Sequence, residues 1–470
     1  GNVMTQIDLT TGIPPENAAA AAGGELIRSS GRKITGISID TRTINPGDLF
    51  VAVKGENTDG HRFVSDAADA GASAVLISDP DAAGNLPEGC SAILVPDTVA
   101  ALGKLAEAHK AELDVLTVAV TGSVGKTTTR QFIYGVLSQE MKTHRTEGNF
   151  NNELGLPLSV MKLDGSFRAS VLEMGMSAKG EISYLTGIVR PDIAVITNIG
   201  TAHIEFLGSR EAIRDAKLEI AEGLKPGGKL ILNGDEPLLS GIPGAAYCAL
   251  KNPEAEFRAA NICYTSGGMM FSAVCPDRVI KDCLIPTLGE HTVLDAMFAV
   301  ACGYYAGISD EGIRRGLAAF EAVGMRQNIT EHEGITYILD YYNASPESIR
   351  ASLSVTKELA GKTGGRTVAV IGNVLELGNR SEELHRSVGS FAASLGCDLF
   401  FAFGKDASLA AEEAVRDGMN ESCVFSFTDI SDPAAISEAV KEHTRPGDCI
   451  LIKASRSIHM ERVADILLGK

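Results

Sequence analysis

Short apolar runs rich in Val, Ile, Leu and Ala recur along the chain. Most are followed within three residues by Gly, Asn or Asp, and then by a stretch in which apolar residues return every three to four positions. Short apolar runs between turn formers read as buried strands, and the longer period reads as helix. The first series predicts strands at 34–39, 49–53, 73–77 and 92–95, with helices at 17–22, 63–70 and 98–109. The second predicts strands at 113–120, 169–172, 193–196 and 227–232 and helices at 130–138, 209–222, 289–306 and 313–320. Within it, residues 241–286 read as β-rich. The third predicts strands at 336–339, 367–371, 399–403, 423–427 and 449–452, with helices at 347–359, 381–395, 407–417, 434–441 and 458–467. Strands alternating with helices predict parallel sheets covered on both faces. At 470 residues the chain is too long for one ordinary core. The fold class expected is α/β in three domains: a small one over 1–112, a central one over 113–326 with a parallel or mixed sheet, and a Rossmann-like one over 327–470.

The pattern is broken most informatively at 121–129, TGSVGKTTT, between the strand at 113–120 and the helix at 130–138. A glycine loop joining a strand to a helix aims backbone N–H groups and the positive helix end at an anion, which is how phosphates are held. Thr121, Gly122, Ser123, Val124, Gly125, Lys126, Thr127 and Thr128 are therefore candidate nucleotide-binding residues. Lys126 is placed to reach the β- and γ-phosphates and Thr127 to meet Mg²⁺. Val120 stands where the general P-loop pattern has its first glycine, so the loop is a tighter variant.

Charge and composition narrow the function. The net charge is -18 and no polybasic run occurs, which disfavours nucleic-acid and anionic-membrane partners. Nine cysteines are scattered without a C-x-x-C pair, as expected for reduced thiols in a cytoplasmic protein. No run is long and apolar enough to span a membrane. A small-molecule enzyme is expected, and G-x-G-x-x-G does not occur, so dinucleotide binding is not supported.

Several polar residues could serve chemistry or merely the fold. Glu173 ends a strand beside the P-loop strand, a natural place for a Mg²⁺ ligand, and a helix-capping role is the plain alternative. His203 lies on the loop after the strand at 193–196, where surface polarity would explain it equally. Lys217 sits beside an apolar helix face, and by periodicity alone it is a snorkelling lysine. Thr41 and Arg42 follow a strand and read on spacing alone as a solvated turn. Asn149, Asn151 and Asn152 crowd one loop, as either a substrate grip or a capped turn.

Taken in order, these boxes resemble a known family. They are 38–42, 47–61 (GDLFVAVKGENTDGH), the P-loop, 147–157 (EGNFNNELGLP), 173–182 (EMGMSAKGEI), 198–208 (NIGTAHIEFLG), 340–348 (DYYNASPES), Glu376–Gly378 with His385, and 453–456. Together they resemble the Mur ligases, the ATP-dependent amide-forming enzymes of peptidoglycan precursor synthesis. The Y-N-A-x-P box is similar to that of the branch that adds D-alanyl-D-alanine to UDP-N-acetylmuramoyl-tripeptide. The D-N-P-R box of the diaminopimelate- or lysine-adding relative is absent. The resemblance implies a UDP-binding first domain, a P-loop centre and a closing third domain. It implies ATP and two Mg²⁺ as cofactors, and the UDP-tripeptide and D-Ala-D-Ala as substrates. Lys126, Glu173, His203 and Lys217 would be the catalytic set. Thr127, Glu173, His203 and a carbamylated Lys217 would hold metal. Arg326 and Asp340 would contact ATP near the hinge, and Thr41 and Arg42 the UDP. Asn149, Asn151, Asn152, Tyr342, Asn343, Ser345, Ser455 and Arg456 would line the peptide path. Asp295 stands in the adenine box where the family has Asn; ionised, it accepts from adenine N6 but cannot donate to N7. A monomer in the cytoplasm is expected. A Mur-type ligase for another amino acid or a folate tail, and a plain P-loop ATPase, are the competing readings.

Overall fold

The computed structural model describes residues 9–147, 149–265, 268–321, 328–341 and 343–470. Its strands gather into three sheets. The first holds β1 (Glu25–Arg28), β2 (Gly36–Ser38), β3 (Asp48–Val51), β4 (Ala74–Ile77) and β5 (Ser91–Leu94) in the order β1-β5-β4-β3-β2. β1 is antiparallel to β5 and the other pairs are parallel. The continuous apolar runs of β3 and β4 are buried along their whole length, as strands covered on both faces must be.

The central sheet holds β6 (Leu116–Thr121), β7 (Thr143–Arg145), β8 (Ala169–Glu173), β9 (Ile193–Ile196), β10 (Lys229–Asn233), β11 (Ala245–Ala249), β12 (Phe257–Thr265), β13 (Gly268–Val274) and β14 (Val279–Ile285). Its order is β14-β13-β12-β11-β10-β9-β6-β8-β7, parallel as far as β12 and then antiparallel through β13 and β14. The helix Glu290–Ala306 packs its Ala-rich face on this sheet, and Ala296, Ala299, Val300 and Ala301 are fully buried.

The third sheet holds β15 (Asn328–His332), β16 (Ile335–Leu339), β17 (Thr367–Gly372), β18 (Leu399–Phe403), β19 (Val424–Phe427) and β20 (Cys449–Lys453), in the order β15-β16-β20-β17-β18-β19. Only β15 runs antiparallel. The α/β class expected from the alternation is observed.

The differences from the expected elements have local causes. The P-loop helix begins at Lys126, not at 130; Gly125 supplies the left-handed start (φ 83°) and the loop threonines form its first turn. The helix expected over 209–222 ends at Leu218 and tightens into a 3-10 turn over Glu219–Gly223. The helices Gly155–Val160 and Glu181–Val189 were not expected, nor were β1, β7 and β15. β7 is three residues, Thr-His-Arg, without an apolar pattern; pairing with β8 makes it a strand.

Candidate active site

Parallel strands deliver their C-terminal ends to one side of a sheet, which is where ligands sit in such folds. Here β6 ends in the P-loop, β8 in Glu173, β9 in Thr197 and Asn198, β16 in Asp340 and β20 in Lys453. A cleft of ≈ 590 Å³ opens between these ends. Ser123, Val124, Gly125, Lys126, Thr127 and Thr128 line it from the central sheet. From the third sheet, Asp340, Asn343, Ser345, Lys453 and Arg456 line it too.

The P-loop is braced from below by Asn198. Its Oδ1 accepts from Ser123 N–H (3.0 Å) and Val124 N–H (2.9 Å), and its Nδ2 donates to Val124 O (2.7 Å). Those two amides are thus turned from any ligand, and anion binding falls to the amides opening the helix, which have no preceding turn to donate to. At Gly122 a Cβ would collide with the Thr197 hydroxyl, so glycine is required there. Thr121 is buried under the loop, and neither Thr121 nor Gly122 lines the cleft.

Glu173 is buried (1% exposed) and firmly held. Its Oε2 accepts from Thr127 Oγ1 (2.9 Å) and Arg130 Nη1 (2.9 Å), and its Oε1 from Asn151 Nδ2 (3.3 Å). A buried carboxylate needs such a counter-charge. Arg130 was not anticipated; its trace in the sequence is a charged residue just ahead of the buried Phe132 and Ile133.

Lys217 is 3% exposed and makes no ion pair or hydrogen bond with the described residues. Burial first, and then the charge of Lys126, push its ammonium well below the ordinary lysine range, which favours a neutral amine over a charged one relative to a lysine in water. His203 has a left-handed backbone (φ 63°), and its Nδ1 lies 2.7 Å from Glu376 Oε2. Burial lowers its pKa, Glu376 opposes that, and Lys126 and Lys217 reinforce it.

Across the cleft, Lys453 Nζ pairs with Asp340 Oδ2 (2.9 Å) and donates to Asn343 O (3.0 Å). Ser345 caps the helix Pro346–Thr363 in a reciprocal capping box with Ser348.

Three family models cover most of this arrangement. "Mur ligase family, catalytic domain" matches residues 33–110, "Mur ligase middle domain" 120–303, and "Mur ligase, glutamate ligase domain" 325–456. The UDP-N-acetylmuramoyl-tripeptide–D-alanyl-D-alanine ligase of Bacillus subtilis is 40% identical over 93% of each chain. The chain belongs to the Mur ligase family. Among solved Mur ligases, MurF from Acinetobacter baumannii superposes with a TM-score of 0.87 at 29% identity, covering 98% of this chain and 99% of that one. MurF from Thermotoga maritima in complex with ADP gives 0.79 at 28% identity, covering 92% and 97%.

The remaining expected residues of this Mur ligase fall unevenly. Asn149 and Asn151 line the cleft, whereas Asn152 Oδ1 caps the amides of Leu154 and Gly155 (3.2 and 2.8 Å). Ser455 Oγ accepts from Leu375 N–H (2.9 Å) and is not among the lining residues. Arg326 and Tyr342 lie outside the described residues. A second cleft of ≈ 580 Å³ lies between the first sheet and the central one, lined by Ser38, Asp40, Thr43, Phe150 and Lys162 among others. Thr41 and Arg42 are not part of its lining, and Arg42 is turned onto Asp40 (2.8 Å) at the surface.

Asp295 was expected as an ionised acceptor, and its burial runs against that ionisation. It is 7% exposed, and burial pushes its carboxyl up to about 8. Protonated, it can both donate and accept, as a side-chain amide does. It lies against the P-loop: a Cβ on Gly125 would sit 2.8 Å from Asp295 Oδ1.

Proposed function

We propose that this Mur ligase joins D-alanyl-D-alanine to the terminal carboxylate of UDP-N-acetylmuramoyl-tripeptide with cleavage of ATP to ADP and phosphate. The observation that carries the reading is one cleft lined at once by the P-loop and by Asn343, Ser345, Lys453 and Arg456. The name borne by the Bacillus subtilis relative supports the choice of substrates. In this reading the unit over 1–112 holds the UDP sugar in the cleft beside Ser38 and Thr43. The unit over 113–326 holds ATP, and that over 327–470 brings the dipeptide. The 149–151 loop joins the clefts: Phe150 lines one, and Asn149 and Asn151 the other.

The chemistry has two steps. An oxygen of the tripeptide carboxylate attacks the γ-phosphorus, and the bond from phosphorus to the ADP oxygen breaks. The dipeptide amine then attacks the acyl phosphate carbonyl and loses a proton, and phosphate leaves with the C–O electrons. A carboxylate is a weak nucleophile toward an anionic phosphoryl group, so positive charge must be fixed around the transfer. Lys126 supplies one such charge. Glu173 and the Thr127 hydroxyl present hard oxygens side by side. That suits Mg²⁺, which takes one or two protein oxygens and keeps positions for phosphate and water. Thr127 and Glu173 would hold one ion, and His203 with a carbamate on the neutral amine of Lys217 a second. Bound there, Mg²⁺ would neutralise charge developing on the phosphoryl oxygens.

The test is phosphate release measured with each substrate omitted in turn. Release is expected only with ATP, the UDP-tripeptide and D-Ala-D-Ala together. Release with ATP and water alone would overturn the reading in favour of an ATPase.

A further inference from the structure

The central and third units also meet at the edge of the cleft, where residues 200–207 face residues 374–380. Three features of this contact are unusual. His203 and Glu376 both carry a left-handed backbone (φ 63° each), a conformation that side chains with a Cβ rarely adopt and that persists where surroundings impose it. They face each other across the boundary, with His203 Nδ1 2.7 Å from Glu376 Oε2, while Glu205 N–H donates to Glu376 O (3.3 Å). Beside them, Gly378 (φ 59°) lies so close to the helix Ile204–Leu207 that a Cβ would sit 2.9 Å from Glu205 Cα. A neighbouring contact repeats the pattern: Thr201 Oγ1 donates to Glu347 Oε2 (3.1 Å) at the start of the helix Pro346–Thr363. Both carboxylates of the third unit in this contact, Glu376 and Glu347, are thus seated on the loop that carries His203.

We propose that Glu376 is a positioning residue: it docks the third unit onto the His203 loop and so ties closure of the cleft to the placement of His203. Placement and charge support this. Glu376 is half-exposed (49%) and His203 one-third exposed (33%), so the pair can part without leaving a charge stranded in the core. When the pair is made, the third unit is held over the P-loop and water is kept from a reactive acyl phosphate. When it opens, the loop with His203 is released as well.

This inference rests on the proposed ligase reaction, and its test separates the two. Glu376→Gln removes the charge at constant size, and Gly378→Ala blocks the close approach without touching the cleft. Glu412→Gln, exposed on the outer face of the third unit, is the control. The expected result for both boundary variants is a fall in kcat of about tenfold, with the KM for ATP and for the UDP-tripeptide within about twofold of wild type. Phosphate is expected to exceed amide, because acyl phosphate is lost to water, and Glu376→Asp is expected to restore part of the coupling. Small-angle scattering with a non-hydrolysable ATP analogue should give a larger radius of gyration for both variants than for wild type and Glu412→Gln. Equal phosphate and amide in the variants, or scattering identical to wild type, would overturn the proposal. If wild type itself makes no amide, the ligase reading fails, and the scattering comparison still decides whether Glu376 docks the unit.

Discussion

At the scale of single residues, burial sets the chemistry of two groups that the sequence left ambiguous. Lys217 sits beside an apolar face, which fits a snorkelling lysine, yet the folded chain buries it without an anionic partner among the described residues. A buried ammonium without an anion is expensive, whereas a neutral amine is not, and a neutral amine can take up CO₂. Lys217→Ala is expected to lower kcat by about a hundredfold or more if the carbamate serves the second ion. Short carboxylic acids added to the assay should restore part of the loss; a fully active Lys217→Ala protein would remove the lysine from the mechanism. Asp295 gives a second expectation, with a defined sign. Its carboxyl is raised from 3.8 to about 8, so its contribution to stability is present below the unfolded value and is lost as pH rises through the folded one. Relative to wild type, Asp295→Asn should gain stability, read as a higher melting temperature, between pH 4 and 8 and level off above, by about 6 kcal/mol at most. ATP affinity should fall above pH 8 in wild type and stay level in Asp295→Asn, because only the protonated acid can donate to adenine. Melting curves and titrations across that range would show both.

At the scale of elements, the P-loop helix Lys126–Leu137 is fixed by what lies behind it. It crosses the helix Asp310–Ala318 where two glycines meet, and a Cβ on Gly135 would sit 2.6 Å from Gly316 O. Neither glycine needs a left-handed backbone; each is there because two helix backbones touch. Gly135→Ala should therefore destabilise the chain by about 1–3 kcal/mol through overpacking, read as a lower midpoint in urea, and an unchanged midpoint would show that the helices can slide apart. This contact also marks what a sequence can disclose. The apolar runs of β9 and β18 and the periodic helix Ser381–Leu395 are legible because burial and period agree along one segment. Lys126, Thr127 and Glu173 are legible because phosphate chemistry demands them at a strand end. The role of Gly135 is not legible, because the reason for it lies 181 positions away at Gly316. Asn152 fails for a related reason: it has the residue type of a substrate grip, but its carbonyl caps the short helix Gly155–Val160, whose Pro157 and six-residue length hide it from periodicity. Arg42 likewise matches its box, yet it folds back on Asp40, a pairing visible only once the 3-10 turn Thr41–Thr43 exists.

At the scale of the whole molecule, the two clefts are similar in size, ≈ 580 and ≈ 590 Å³, and they lie on opposite sides of the 149–151 loop. A substrate that carries its nucleotide at one end and its reacting carboxylate at the other must cross that loop. The residues of the loop are ordered to suit such a crossing, since Phe150 faces the first cleft while Asn151 reaches back to hold Glu173 (3.3 Å) beside the P-loop. The two neighbours should therefore separate binding from chemistry. Phe150→Ala removes an aromatic contact that is 44% exposed in the open cleft and would be covered by a bound acceptor. Burying such a side chain is worth about 1.5–3 kcal/mol, so the KM for the UDP-tripeptide should rise about tenfold or more while the KM for ATP and kcat hold. Asn151→Ala frees one oxygen of Glu173 and leaves the first cleft intact, so kcat should fall with little change in the acceptor KM. Steady-state kinetics with each substrate varied in turn would read both. If Phe150→Ala instead lowered kcat and spared the acceptor KM, the acceptor could not lie in the first cleft, and the route across the 149–151 loop would have to be abandoned.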